Sequence, residues 1–509
     1  MKRISLLRKG TQMMAGQELS KARRHEEIKE REISPDERPL FHLSARTGWM
    51  NDPNGFSVYG GEYHLFYQYY PYKTKWGPMH WGHAVSHDLV TWQYKPAVLA
   101  PDTSSDSEGC FSGSAITLKD GRHMLMYTGV LAENKDSDKN IQVQCLAFGD
   151  GNDYEKYSGN PILTCADLPE EMSNYDFRDP KINQEEDGTY TCVICGCTKE
   201  HDGRTLYFRS DNGINWKFES VLASNDKRFG TVWECPDFFM LDGKAVLLCS
   251  PMSMLKTERY SSGNGTLCLI GEFDRENSRM IEEYDEPIDN GIDFYATQTL
   301  LSPDGRRIMT AWMQNWDALQ NDVSGIRWFG QLILPRELSV RNGKLYQQPI
   351  RELEQYRKKR MVYKDVHVSE KVELPGIFGR AMDISLRIRP DNEGYQTFEI
   401  KIAENEDFHT SVIYDRKRHE ITLDRSLSGI RKAVLNTRTF ITEEYGDEMD
   451  LRMILDRYSL ELFVNGGEQA ASITLYTDLS ANRISFQAEG SAVMDIESYI
   501  LGLPAETAR

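Results

Sequence analysis

Five tight-turn signals at a nearly constant spacing constrain the fold most. Gly60-Gly61 precedes EYHLFYQYY, Asp120-Gly121 precedes RHMLMYTG, Asp187-Gly188 precedes TYTCVICG, Asp242-Gly243 precedes KAVLLCS, and Asp304-Gly305 precedes RRIMTAWM. Asp-Gly and Gly-Gly pairs supply the positive φ angles of short hairpins, and each is followed by a run rich in apolar and aromatic residues. The second glycines stand at 61, 121, 188, 243 and 305, at intervals of 60, 67, 55 and 62. One supersecondary unit of about 60 residues therefore recurs five times, which predicts a five-bladed β-propeller over 38–337. SHDLVTW (86–92) and SDNGINW (210–216) add a second shared feature, a Trp six residues after a Ser.

The repeat also aligns positions across blades. Nine residues before the five glycines stand Asp52, Ser112, Asp179, Glu234 and Ala296. The innermost strands of a propeller surround a central channel, so equivalent positions converge on one cavity. Each acid alone has an ordinary explanation: NDPNG is a turn sequence, Arg178-Asp179 is a local ion pair, and Glu234 caps a strand. Together they place three like charges around one channel. That arrangement is costly unless chemistry uses it, and it separates the pKa values of the acids. One protonated acid beside one carboxylate is the pairing that glycoside cleavage needs. Trp49, Trp76, Trp81, Phe111 and Trp312 offer apolar faces suited to a sugar ring.

The flanks differ in texture. Residues 1–37 are polar and charge-mixed, with a helix expected over Lys21–Glu32 and ended by Ser34-Pro35. The start, MKRISLLRKGTQMM, lacks the apolar core of a secretory signal. From 361 to 509, alternating runs such as DISLRIR, TFEIKIA and LELFVNGGE predict a β-sandwich, with 338–360 as a linker. The expected architecture is thus all-β: a propeller, then a sandwich, with a short helical N-terminal extension.

The chain's 509 residues carry a net charge of −18. Such a field disfavours phosphate backbones and anionic lipid, so neither nucleic acid nor a membrane is expected as a partner. Nine cysteines without a disulfide-like spacing favour a reducing, cytoplasmic setting. No cofactor and no metal is expected. His80 and His83 are three apart on a strand and point to opposite faces, and Cys192, Cys195 and Cys197 lack a second ligand pair at zinc spacing. The sandwich is the candidate surface for homo-oligomerisation.

WMNDPNG (49–55), LFYQYYP (65–71), WGPMHWGHAVSHDLVTW (76–92), FSGSA (111–115), FRDP (177–180), WECPDF (233–238) and DFYA (293–296) together resemble the signature blocks of glycoside hydrolase family 32, in that family's order. These are the β-fructofuranosidases: invertases, sucrose-6-phosphate hydrolases and fructan exo-hydrolases. The resemblance implies that Asp52 is the nucleophile, Glu234 the general acid/base, and Asp179 the acid that holds fructose hydroxyls, with Arg178 beside it. It also implies that Trp49, Asn51, Gln68, Trp76, Phe111 and Ser112 line the fructose subsite, with Tyr295 and Trp312 on its wall. The activity implied is retaining cleavage of the terminal β-D-fructofuranoside bond of sucrose and short fructo-oligosaccharides. Tyr70 departs from the family's usual Asn in LFYQYYP, which bears on the leaving-group side. Sucrose against sucrose-6-phosphate, and hydrolysis against fructosyl transfer, stay open. So do two rivals: an inverting propeller glycosidase for arabinose or xylose polymers, and a sugar-binding propeller without catalysis.

Overall fold

A computed structural model describes residues 16–133, 140–319, 326–429, 435–443, 446 and 448–503. The leader MKRISLLRKGTQMM lies outside them. Five sheets, antiparallel apart from one short pairing, form the propeller, and their innermost strands are Gly48–Tyr59, Gly109–Thr117, Met172–Gln184, Trp233–Leu241 and Tyr295–Leu301. Each inner strand touches those of both neighbouring blades, so the five enclose a central channel. The glycines that set the repeat share one conformation: Gly61, Gly121, Gly188, Gly243 and Gly305 all have φ between 82° and 85°. SHDLVTW and SDNGINW fold alike as well. In each the serine Oγ accepts two backbone N–H groups, from Asp88 and Leu89 in one turn and from Asn212 and Gly213 in the other.

The segment 338–360 is not a linker. Arg336–Arg341 and Lys344–Pro349 form the outer hairpin of the fifth blade, and Arg351–Tyr356 is a 3-10 helix leading into the sandwich. An outer hairpin is half exposed and therefore charged, which is what made it resemble a linker. Before that hairpin, Trp328–Phe329 pairs in parallel with Gly48–Trp49, so the last blade is tied to the first. The N-terminal helix spans Gln17–Glu30, and Ser34 opens a separate 3-10 turn closed by a capping box with Glu37.

In the second domain the 23-residue strand Met382–Glu404 pairs with Met449–Asp456 through its first half and with Thr410–Asp415 through its second. The sheet thereby divides into two parts around one apolar core. This sandwich is joined to the propeller by buried charge. Arg336, fully buried, donates to Glu461, Asp289, Gln347 and Ser472. His42 bridges Asp456 (2.8 Å) and Glu461 (2.9 Å). Among the described residues no helix is long and apolar enough to cross a membrane.

Candidate active site

The nine-residue offset has a structural cause. In all five inner strands the ladder slips just there, between Met50 and Pro53, Phe111 and Gly113, Arg178 and Lys181, Glu234 and Asp237, and Tyr295 and Gln298. Such a β-bulge turns a side chain out of the strand's alternation and re-aims it. Three bulges hold a non-glycine residue at positive φ: Asp179 (65°), Cys235 (50°) and Ala296 (54°). Strained backbone of this kind persists only where its surroundings enforce it.

The three acids meet through short contacts. Asp52 accepts hydrogen bonds from Ser112 Oγ (2.6 Å) and Asn51 Nδ2 (2.9 Å). Trp49 Nε1 in turn fixes Asn51 Oδ1 at 2.8 Å. Cys235 links two of the acids: its backbone N–H donates to Asp179 Oδ2 at 2.9 Å, and its Sγ lies 3.7 Å from both Asp179 Oδ2 and Asp52 Oδ2. Glu234 is held differently. Arg178 Nε donates to Oε1 (2.9 Å) and Tyr295 Oη to Oε2 (2.6 Å). Arg178 also binds Asp176 (3.0 Å) and Gln142 (3.2 Å) through Nη1.

Burial raises the Asp52 carboxyl above its ordinary range; the Ser112 hydrogen bond opposes this and the charge of Glu234 adds to it. Burial likewise pushes Asp179 up to about 7, against the pull of Arg178 and with the repulsion of Glu234 and Asp52. The expectation that crowding and burial raise at least one acid is met at these two.

The remaining expected residues divide into two groups. Phe111 packs edge-on to Trp76 at 6.1 Å, and Trp76 is 49% exposed, an open aromatic face beside Ser112. Trp49 and Trp312, by contrast, are 1% and 0% exposed, so they stand behind the site and not on its wall. Trp49 instead stacks on Trp316 (6.0 Å) and Phe329 (5.0 Å), which sequence spacing does not single out. Gln68 is buried and donates to the Cys110 carbonyl at 3.0 Å. Trp81, also buried, donates to the Phe111 carbonyl at 3.0 Å and so braces the strand that carries Ser112. His80 bonds the Pro78 carbonyl and His83 bonds His64, so the two histidines serve separate partners. The nine cysteines are all unpaired, and Cys192, Cys195 and Cys197 are buried in their strand. No group of three His, Cys, Asp or Glu side chains with metal-binding geometry occurs among the described residues.

This arrangement can hold a sugar between a carboxylate with neutral donors and a second carboxyl gripped by a cation and a phenol. Comparison with known proteins agrees. Residues 42–349 match the model of the glycosyl hydrolases family 32 N-terminal domain, and 352–499 that of the family 32 C-terminal domain. A raffinose invertase of Escherichia coli is 35% identical over 466 residues, covering 90% of this chain and 93% of that protein. A sucrose-6-phosphate hydrolase of Escherichia coli is also 35% identical, with the same coverage. Among solved structures, a Bombyx mori β-fructofuranosidase is 34% identical with a TM-score of 0.81, covering 95% of this chain and 97% of that one. A variant of it has been solved in complex with sucrose. The chain is a glycoside hydrolase and belongs to family 32.

Proposed function

We propose that the protein hydrolyses the terminal β-D-fructofuranosyl bond of sucrose with net retention. The observation that carries this is the unlike holding of two carboxyls. Among the described residues Asp52 receives only neutral donors, from Asn51, Ser112 and the Cys235 thiol, which leaves it free to attack carbon. Glu234 is oriented at both oxygens by Arg178 and Tyr295, which sets the direction along which it exchanges a proton.

In the first step Glu234, protonated, gives its proton to the glycosidic oxygen as that oxygen leaves the fructose anomeric carbon. Asp52 bonds to that carbon, forming a fructosyl ester and freeing glucose. In the second, Glu234 takes a proton from water, the water oxygen displaces Asp52, and fructose leaves with its original configuration. Asp179 and Arg178 orient the fructose hydroxyls, and Trp76 and Phe111 cover its apolar face.

Sucrose-6-phosphate is the second reading, because relatives carrying that name are as similar as the invertase. Arg178, a cation at the site, is already bonded to Glu234, Asp176 and Gln142. The unpaired cysteines suit a reducing compartment, and we place the enzyme in the cytoplasm. Fructose release from sucrose and from sucrose-6-phosphate, with glucose and glucose-6-phosphate as the respective co-products, for wild type and Asp52→Asn, tests the proposal. Faster release from sucrose, lowered on the order of 10⁴-fold or more by the substitution, supports it. Release unaffected by Asp52→Asn removes the assigned nucleophile, and no release from either sugar removes the activity.

A further inference from the structure

The helix Gln17–Glu30 lies outside the stretch matched by the family's N-terminal domain model, yet it is docked firmly on the first blade. Glu26 is 1% exposed and accepts from the Ala97 N–H (2.9 Å) and Arg46 Nη1 (3.1 Å), while Arg46 also binds Glu30. Arg23 Nε donates to the Ala97 carbonyl at 2.7 Å. These bonds anchor one side of the helix.

Another side leads toward the active site through a line of ring contacts. His25 meets Tyr72 edge-on, with centroids 5.0 Å apart, and Lys21 Nζ lies 5.3 Å from the centre of the same ring. Tyr72 meets Tyr70 edge-on at 5.5 Å. The Tyr70 ring closes on Gly77 so tightly that a Cβ there would lie 2.7 Å from it. Gly77 directly follows Trp76, whose indole packs on Phe111 beside Ser112. Lys73, Lys75, Trp76 and Pro78 are exposed.

We propose that the helix Gln17–Glu30 is a positioning element for substrate: through Tyr72 and Tyr70 it sets the loop 71–79 and with it the orientation of Trp76 at the mouth of the site. What Trp76 touches rests on the fructosidase reading above. The remainder rests on the contacts alone.

The test uses the full-length chain with Lys21→Ala/His25→Ala, which removes both helix contacts to Tyr72 and leaves the Glu26 and Glu30 anchors. Tyr72→Ala breaks the same line one ring further on. In both variants KM for sucrose rises about three- to tenfold, as the loss of one or two aromatic contacts allows, while kcat stays within about twofold. Amide hydrogen exchange in 71–79 quickens in both. Tyr72→Phe keeps the ring, and its hydroxyl has no hydrogen-bond partner among the described residues, so KM and exchange stay at wild-type values. Unchanged exchange overturns the proposal, as does quickened exchange with unchanged KM. Should wild type cleave none of sucrose, sucrose-6-phosphate or a fructo-oligosaccharide, the fructosidase reading fails separately, and the exchange rates alone decide whether the helix holds the loop.

Discussion

Ser112 Oγ donates to Asp52 Oδ2 at 2.6 Å, joining two adjacent blades at the same step of the repeat. This bond favours the ionised form of a carboxyl that burial pushes the other way. Without it, Asp52 would take up a proton at higher pH and attack more weakly. In Ser112→Ala the acid limb of the kcat/KM profile moves upward by about one pH unit, since a hydrogen bond to a charged group contributes roughly 1.5–3 kcal/mol. Initial rates across a pH series check this, and an unmoved limb would detach Ser112 from the nucleophile.

The phenol of Tyr295 and the guanidinium of Arg178 fix the two oxygens of Glu234 separately. Tyr295→Phe removes one restraint and leaves the ring to fill its buried place. We expect kcat/KM for sucrose to fall by about 10- to 100-fold, from the same range of bond strengths, with the melting temperature little changed. Steady-state kinetics beside a thermal melt separate this from unfolding.

The joint between propeller and sandwich carries its own pH dependence. Burial disfavours charge on His42, but the carboxylates of Asp456 and Glu461 outweigh it and hold its pKa at about 9. A folded-state pKa above the unfolded value of about 6.5 contributes stability that is complete below 6.5 and lost as pH climbs through 9. The melting temperature should therefore drop between pH 7 and 10. In His42→Gln that drop should be shallower, starting from a lower value at pH 7, because Asp456 and Glu461 then lack the imidazolium throughout, although Glu461 keeps Arg336.

Much of the fold is legible because each hairpin needs a residue that tolerates positive φ, and glycine marks all five. The convergence of the acids is legible for the same reason: a bulge at a fixed distance from each turn aims one position of every blade at the channel. Asn342-Gly343 is the same kind of signal for the outer hairpin of the fifth blade, masked in the sequence because the charged, half-exposed strands on both sides of it resemble a linker. Other features leave no local trace. Trp49 and Trp312 are indistinguishable from wall residues in sequence, and only packing shows that Trp316 and Phe329 cover Trp49. Cys235 reads as a neighbour of Glu234 until its thiol and N–H are seen between Asp52 and Asp179. The ion pairs of Arg336 with Glu461 and of His42 with Asp456 and Glu461 join residues more than a hundred positions apart, beyond any periodicity.

The central claim is that Asp52 forms a fructosyl ester which Glu234 then helps to open. Sucrose cleavage in buffer containing methanol tests it most directly, because methanol captures the intermediate as a methyl fructofuranoside whose anomeric configuration is locked. Proton and carbon NMR of the product should show methyl β-D-fructofuranoside, and Asp52→Asn should yield none. Methyl α-D-fructofuranoside from the wild type would mean a single displacement with inversion, and would contradict the account.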